Sequence, residues 1–222
     1  MAISQDGKNL SPVYQLSDDY IEQLAANDPG LATALGIAGH DHEMTNFSPK
    51  GHAERDSINR AAMKTLDTLD TSNDRDRLAA GVLRNSLEMS CLEYDAGEHL
   101  RSIRVIAGDV DSARSIFDLM PTATVENWRT IAERMQAVPA AFAGMRESWG
   151  LGVKRGIVAP RRQALAVAEQ LETWAGKRRG YSLHSFGDRS PVFRSGGWHQ
   201  VEDASCRVDI AGDHPNRAQV FT

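Results

Sequence analysis

Cysteine is scarce. Cys91 and Cys206 are the two thiols in 222 residues, too few and too far apart for a disulfide framework or a cysteine-ligated zinc module. Long apolar runs are missing as well. Nothing approaches the roughly 18 consecutive apolar residues of a membrane span. The opening MAISQDGKNLSP is polar and lacks a signal core. Positive charge is in the minority: 25 Lys and Arg stand against 30 Asp and Glu, a net charge of -5. Such a balance offers no broad electrostatic attraction for nucleic acid or for an anionic membrane. The metallopeptidase string His-Glu-X-X-His is also absent. It would place two imidazoles one helical turn apart around a general base. The histidines are 40, 42, 52, 99, 184, 199 and 214; no two are four residues apart, and only His42 precedes a Glu. Arg-Ser-Gly-Gly-Trp-His near the end has neither the lysine nor the spacing of a phosphate loop. These absences leave a cytoplasmic location as the expectation, with no nucleic-acid or membrane partner.

What is present reads as helix. Hydrophobic residues make up 41% and charged residues 25%, enough apolar content for one packed core. Residues 1–16 are expected to be a flexible lead-in, with Ser17 capping the first helix and Tyr20, Ile21 and Leu24 on its apolar side. Asp28-Pro29 pairs a good N-cap with a residue suited to the first helical place, and opens a second helix closed by Gly36. Leu31, Ala34 and Leu35 are expected to pack inward there. Ser48-Pro49 opens a third, with Ile58, Ala62, Leu66 and Leu69 along one face. Asp70–Asn73 is a turn cluster. The longest helix is expected over about 74–100, with Leu78, Val82, Met89 or Cys91, and Tyr94 as its stripe. Residues 101–110 form a connector. Asp111–Leu119 is a short helix with Ala113, Ile116 and Phe117 inward.

Three further helices are expected from 118 to 174. Thr124 caps one carrying Trp128, Ile131, Ala132 and Met135. Val138-Pro139 breaks it, because proline lacks an N–H and crowds the residue before it. The next carries Phe142, Met145 and Trp149 and ends at Gly156. Pro160 starts the last, with Leu165, Ala168, Leu171 and Ala175 as its stripe. Short connectors favour antiparallel neighbours. The expected fold is all-α: an antiparallel helical bundle or array over 17–175, followed by an irregular C-terminal tail.

That tail, 176–222, has one leucine where residues 1–175 have sixteen. Its character is open between a disordered tail, a small β-rich element built on Ser190–Phe193 and Cys206–Ile210, and a reading-frame change near Gly176.

Residues 37–47 lack a helical period and hold the densest ligand-capable cluster, His40, Asp41, His42 and Glu43. Imidazole and carboxylate are ordinary metal ligands, so His40 and His42 are the candidate ligands. A His-X-His pair on an irregular loop does not impose a coordination geometry, and no third ligand follows at a recognisable spacing. The reading preferred from the residues is therefore a polar loop of caps and turns, with no metal assigned. Glu88, Glu93 and Glu98 fall five apart. Five residues turn a helix by a net of about 140°, so these carboxylates do not share a face and are read as solvated.

The stretch LMPTATVENWRTIAERMQAVPAAFAGMRESWGLGVKRGIVAPRRQALAVAEQL resembles the bacterial domain-of-unknown-function 885 family, and the resemblance runs from about Tyr20 to about Trp174. It rests on the ordered series Met-Pro, Ala-Val-Pro and Gly-Val-Lys-Arg-Gly-Ile-Val-Ala-Pro-Arg. The resemblance implies a large, mostly helical zinc peptidase whose metal motif, His-Glu-X-X-Pro-Gly-His-His, lies in a C-terminal half. That motif does not occur in these 222 residues. The implied role is thus an N-terminal helical portion that is not catalytic alone, with zinc expected in full-length relatives and no cofactor in this chain. The other reading is a standalone helical interaction module. Self-association is expected through an exposed apolar face on the last helix, at Leu165, Leu171 and Trp174.

Overall fold

The computed structural model describes residues 11–175. Its described part is all-α: seven α-helices and two 3-10 turns, with no strand among the described residues. No helix among them is long and apolar enough to cross a membrane. The readings made for residues 1–10 and for the tail from 176 lie outside the described residues.

Helix α1 spans Pro12–Asn27 and α2 spans Pro29–Leu35. The lead-in expected over 1–16 is therefore corrected in part. Helix α1 begins at Pro12 rather than after Ser17, by the same Ser-Pro arrangement that opens α3. Ser11 is extended but does not cap with its side chain; its hydroxyl donates to the Asp76 carboxylate at 2.8 Å. Asp28 caps α2 by accepting from the Leu31 N–H, and Gly36 closes it with φ 72°. The inward face of α2 is Pro29 and Ala32, not Leu31, Ala34 and Leu35.

Helix α3 spans Pro49–Leu66 and α4 spans Asp74–Asp95, capped by Ser48 and Asn73 through their side chains. The turn between them makes them antiparallel neighbours. Arg84 bonds Asp67 near the turn, and Arg60 bonds Asp95 at the far end. Helix α1 lies against both. Val13, Leu66 and Ala80 form one small core, and Tyr20, Ala62 and Leu87 form the next layer. The Tyr20 hydroxyl donates to the Asn59 carboxamide oxygen at 2.9 Å, which satisfies two buried polar groups at once. Helix α4 contradicts its expected stripe at Leu78, Val82 and Met89 and keeps it at Cys91. Asp76, Ala80, Leu87 and Cys91 face inward, while Leu78, Val82, Met89 and Leu92 face solvent. It also ends at Asp95 rather than near Leu100. Gly97 takes φ 74°, and a 3-10 turn, Glu98–Arg101, follows.

Helix α5 (Asp109–Ser115) and a second 3-10 turn (Ile116–Leu119) lead into α6, Val125–Arg155. Ala113, Ile116 and Phe117 are buried as expected. Thr124 forms a reciprocal capping box with Asn127. Two separate helices were expected on either side of Pro139, but α6 is continuous through it. Pro139 is exposed, so water can serve the carbonyl that proline leaves without an N–H. Burial of Trp128 and Ile131 in one cluster and of Ala141 and Met145 in the next, with Met44 packed against both, anchors the two halves. Helix α7 spans Arg161–Trp174. Ala164 and Val167 are buried, with Leu171 and Trp174 partly buried against the same core, while Leu165 points out. The stripe expected on α7 thus holds at Leu171 and is displaced by one residue at Leu165, Ala168 and Ala175, and Leu171 and Trp174 are partly covered rather than exposed.

Two apolar regions result. One lies among α1, α3 and α4; the other joins the cluster of Phe47, Val110, Ala113, Ala141, Met145 and Val167 to that of Ile116, Phe117, Met120, Trp128 and Ile131, with Met44 packed against both. The loop 37–47 runs along the seam, and its Met44 and Phe47 pack into the second core.

Candidate functional site

The loop from Ile37 to Phe47 has no secondary structure to satisfy its carbonyls, so donors must come from elsewhere. The main donor is Arg134 of α6, which is 0% exposed. It shares the apolar face of α6 with Trp128 and Ile131, so its guanidinium reaches inward. Nε donates to the Glu43 carbonyl at 2.8 Å. Nη2 donates to the Thr33 hydroxyl at 2.8 Å and the His40 carbonyl at 2.9 Å, with the Pro29 carbonyl at 3.4 Å. Thr33 in turn donates to the Asp41 carboxylate at 2.6 Å. The nearest anion is that same carboxylate, 4.0 Å from Nη2. Burial lowers the Arg134 pKa, and Asp41 and Glu43 push it back up. A planar fork with several donors suits this job, because one side chain ties α2 and the loop to α6.

The other edge of the loop is held by Arg55 of α3. Nη1 donates to the Asn46 carbonyl at 3.0 Å, and Nε lies 4.0 Å from Asp28. Asp28 also accepts the Thr45 hydroxyl at 2.5 Å, while Thr45 accepts the Gly30 N–H at 3.0 Å. Ser148 of α6 donates to the Phe47 carbonyl at 2.7 Å. The loop is therefore bonded along its length, with His42 and Glu43 left half exposed at its outer side.

Behind Arg55 lies a partly buried group of titratable side chains. Arg55 Nη2 sits 3.0 Å from His52 Nδ1. A guanidinium only donates, so Nδ1 is the acceptor and the proton of the neutral ring is on Nε2. The His52 and His99 rings are 4.8 Å apart, and Tyr94 stacks on His99 at 4.6 Å. Burial pushes the His52 pKa down to about 3, with Arg55 and His99 adding to the effect and a backbone contact at Phe47 opposing it. His99 is lowered for the same first reason, helped by Arg155 and Arg55. Asp109 is raised to about 6 by burial, against the pull of Ser102, Arg55 and Arg104. His52 Nε2, His99 Nδ1 and Asp109 Oδ2 are buried without a hydrogen-bond partner. At neutral pH the two imidazoles are uncharged donors and acceptors, and Asp109 carries its charge at a cost. Two open grooves run along α4, lined by Asp74, Leu78 and Val82 and by Met63, Cys91 and Leu92, away from this group.

The sequence candidates are placed as follows. His40 contributes its carbonyl to Arg134, and His42 Nε2 lies 3.3 Å from Glu43. Glu88 and Glu93 are exposed, as their spacing predicts, and Glu98 pairs with Arg101. His99 turns inward instead. Zinc is the metal that the resemblance implies for relatives. Among the described residues no three His, Cys, Asp or Glu side chains gather into a metal-holding group. The Asp41 carboxylate is taken by Thr33 and Arg134, and the fixed cations Arg134 and Arg55 flank the loop and His52. Sequence reasoning missed Arg134, Arg55, His52 and Asp109. One signal was available: Arg134 falls three residues after Ile131, inside the apolar period.

Comparison with known proteins adds one family. The family model described as "Bacterial protein of unknown function (DUF885)" matches residues 29–204, starting and ending later than the stretch read from the residues. No curated protein matches the chain.

Proposed function

Because this chain belongs to the DUF885 family, we propose that it is the helical scaffold portion of a zinc-metallopeptidase-like protein and is not catalytic alone. In this reading the 37–47 loop is a preformed wall beside the substrate cleft, and the metal-bearing residues belong to another part of the protein. The observation that carries the reading is the seating of Arg134. A fully buried guanidinium is spent on the carbonyls of His40 and Glu43, which orders an irregular loop while leaving His42 and Glu43 half exposed. A loop ordered before binding loses less entropy when a ligand meets it. Neutral, partly buried His52 and His99 stiffen the base of the same loop through Arg55. The absence of any His-Glu-X-X-His string from the sequence agrees with a non-catalytic portion.

Calorimetric titration of the chain with zinc, followed by a peptidase assay on a mixed peptide library, tests the proposal. Weak, non-stoichiometric zinc binding and no cleavage are expected. Tight one-to-one binding, or cleavage abolished by His42→Ala, overturns it. The second reading, a helical interaction module, draws on the apolar outer face of α4.

A further inference from the structure

The outer face of α4 carries more large exposed apolar side chains than any other helix among the described residues: Leu78 at 72%, Val82 at 65%, Met89 at 50% and Leu92 at 60%. With Asn85 they fall at steps of four, three, four and three. At about 100° per residue these positions lie within an arc of about 80°. This is the narrow seam that packs against another helix, not the broad stripe that faces a core. The opposite face, Asp76, Ala80, Leu87 and Cys91, is already buried against α1 and α3. Gly81 flanks the seam in open space and would let a second backbone come close.

We infer that a second copy of this chain docks on this face, with the two α4 helices antiparallel about a two-fold axis at Asn85. Charge selects both the occupant and the direction. Residues 74–84 of α4 hold three Arg and two Asp, a balance of +1, whereas residues 85–95 hold Glu88, Glu93 and Asp95, a balance of -3. A two-fold axis of this kind sets each flank of the seam against the same flank of the other copy, run in reverse. Arg84 then faces Glu88, Arg77 faces Asp95, and Arg75 faces Glu93. Leu78 meets Leu92, Val82 meets Met89, and the two Asn85 carboxamides can bond each other. A parallel pairing would instead set the acidic halves side by side. Arg77, Arg84 and Asp95 hold partners within the chain, Asp74, Asp67 and Arg60, and Arg75 lies over the Tyr14 ring with Nε donating to its hydroxyl; all are surface positions that can share a second ion. The inference does not depend on the scaffold reading above.

Sedimentation equilibrium of the full chain at micromolar to sub-millimolar concentrations tests it, with circular dichroism as the check on folding. A monomer–dimer equilibrium is expected. Val82→Glu, at an exposed position, should weaken it by about tenfold or more with the fold intact, a loss of about 1.4 kcal/mol or more. Arg84→Glu should weaken it similarly, and adding Glu88→Arg in the same chain should restore it. Asn85→Cys should give a reducible dimer band under mild oxidation, whatever the folding of the other variants. A monomer at every concentration overturns the inference. So does a dimer indifferent to Val82→Glu, a double variant no better than Arg84→Glu alone, or an absent cross-link.

Discussion

Replacing Arg134 by Met is the most demanding test of how the loop is held. Methionine keeps much of the aliphatic stem and removes the fork. Three short bonds disappear, to the Glu43 carbonyl, the Thr33 hydroxyl and the His40 carbonyl, at 2.8, 2.8 and 2.9 Å. Each bond from a charged donor contributes about 1.5–3 kcal/mol, and the three are not additive because they share one group. The two backbone acceptors remain, and the apolar replacement offers them no donor. The expected loss is about 2–5 kcal/mol, since each buried carbonyl left without a donor costs about 1–3 kcal/mol. Against a total stability of about 5–15 kcal/mol, the variant would sit near its folding threshold. Urea unfolding followed by circular dichroism gives the global number, and hydrogen exchange gives the location. Fast exchange should appear first in 37–47, with α3 and α4 keeping their protection. Arg134→Lys should recover only part of the loss, since one ammonium cannot span the same acceptors. A loss below about 1 kcal/mol, an ordinary surface value, together with unchanged protection of the loop, would refute the claim that Arg134 orders it.

Three further outcomes are expected. His52 has a folded pKa of about 3, far below its ordinary 6.5, so its contribution is present above pH 6.5 and is lost as pH falls from there toward 3. After discounting for residual solvent access the effect is at most about 4 kcal/mol. His52→Asn should flatten that acid limb in a series of melting temperatures, and parallel profiles would count against it. Asp109 works in the opposite sense. Its folded pKa of about 6 exceeds the usual 3.8, so the stability linked to its protonation is present below pH 3.8 and is lost as pH rises through 6. Asp109→Asn should therefore be more stable than the parent at pH 8 by about 1–3 kcal/mol and equal to it near pH 4; destabilisation at pH 8 would contradict the burial argument. Gly144→Ala should cost about 1–3 kcal/mol in urea unfolding, because a Cβ there would meet the Ser48 backbone nitrogen at 2.7 Å where α6 crosses the start of α3. An unchanged midpoint would mean that the two backbones are not in close contact.

Features set by near neighbours in the chain were legible. Asp28-Pro29, Ser48-Pro49, Thr124 and Gly156 open or close helices as read, because capping is decided within a turn or so of the residue. The loop at 37–47 was legible for the same reason. The register of faces was less so. Helix α4 is apolar on two opposite sides, and periodicity alone does not say which one meets α1 and α3. The stripe on α7 slipped by one place because Ala164 and Val167 compete with Leu165 and Ala168 for the same turn. Pro139 reads as a break from its local chemistry, yet burial on both sides of it carries one helix straight through.

The sequence by itself thus determined the helical class, most of the caps and the irregular loop, since each follows from backbone sterics and short-range hydrogen bonding. Only the tertiary structure decided that Arg134 reaches back to His40 and Glu43, that His52 lies against His99, and that Asp109 is buried beside Arg55. Those pairs are joined by no local spacing. They meet because α3, α5 and the 3-10 turn after α4 all pack against α6 or its neighbours, and an ionisable group acquires its protonation state and its partners from what that packing leaves next to it.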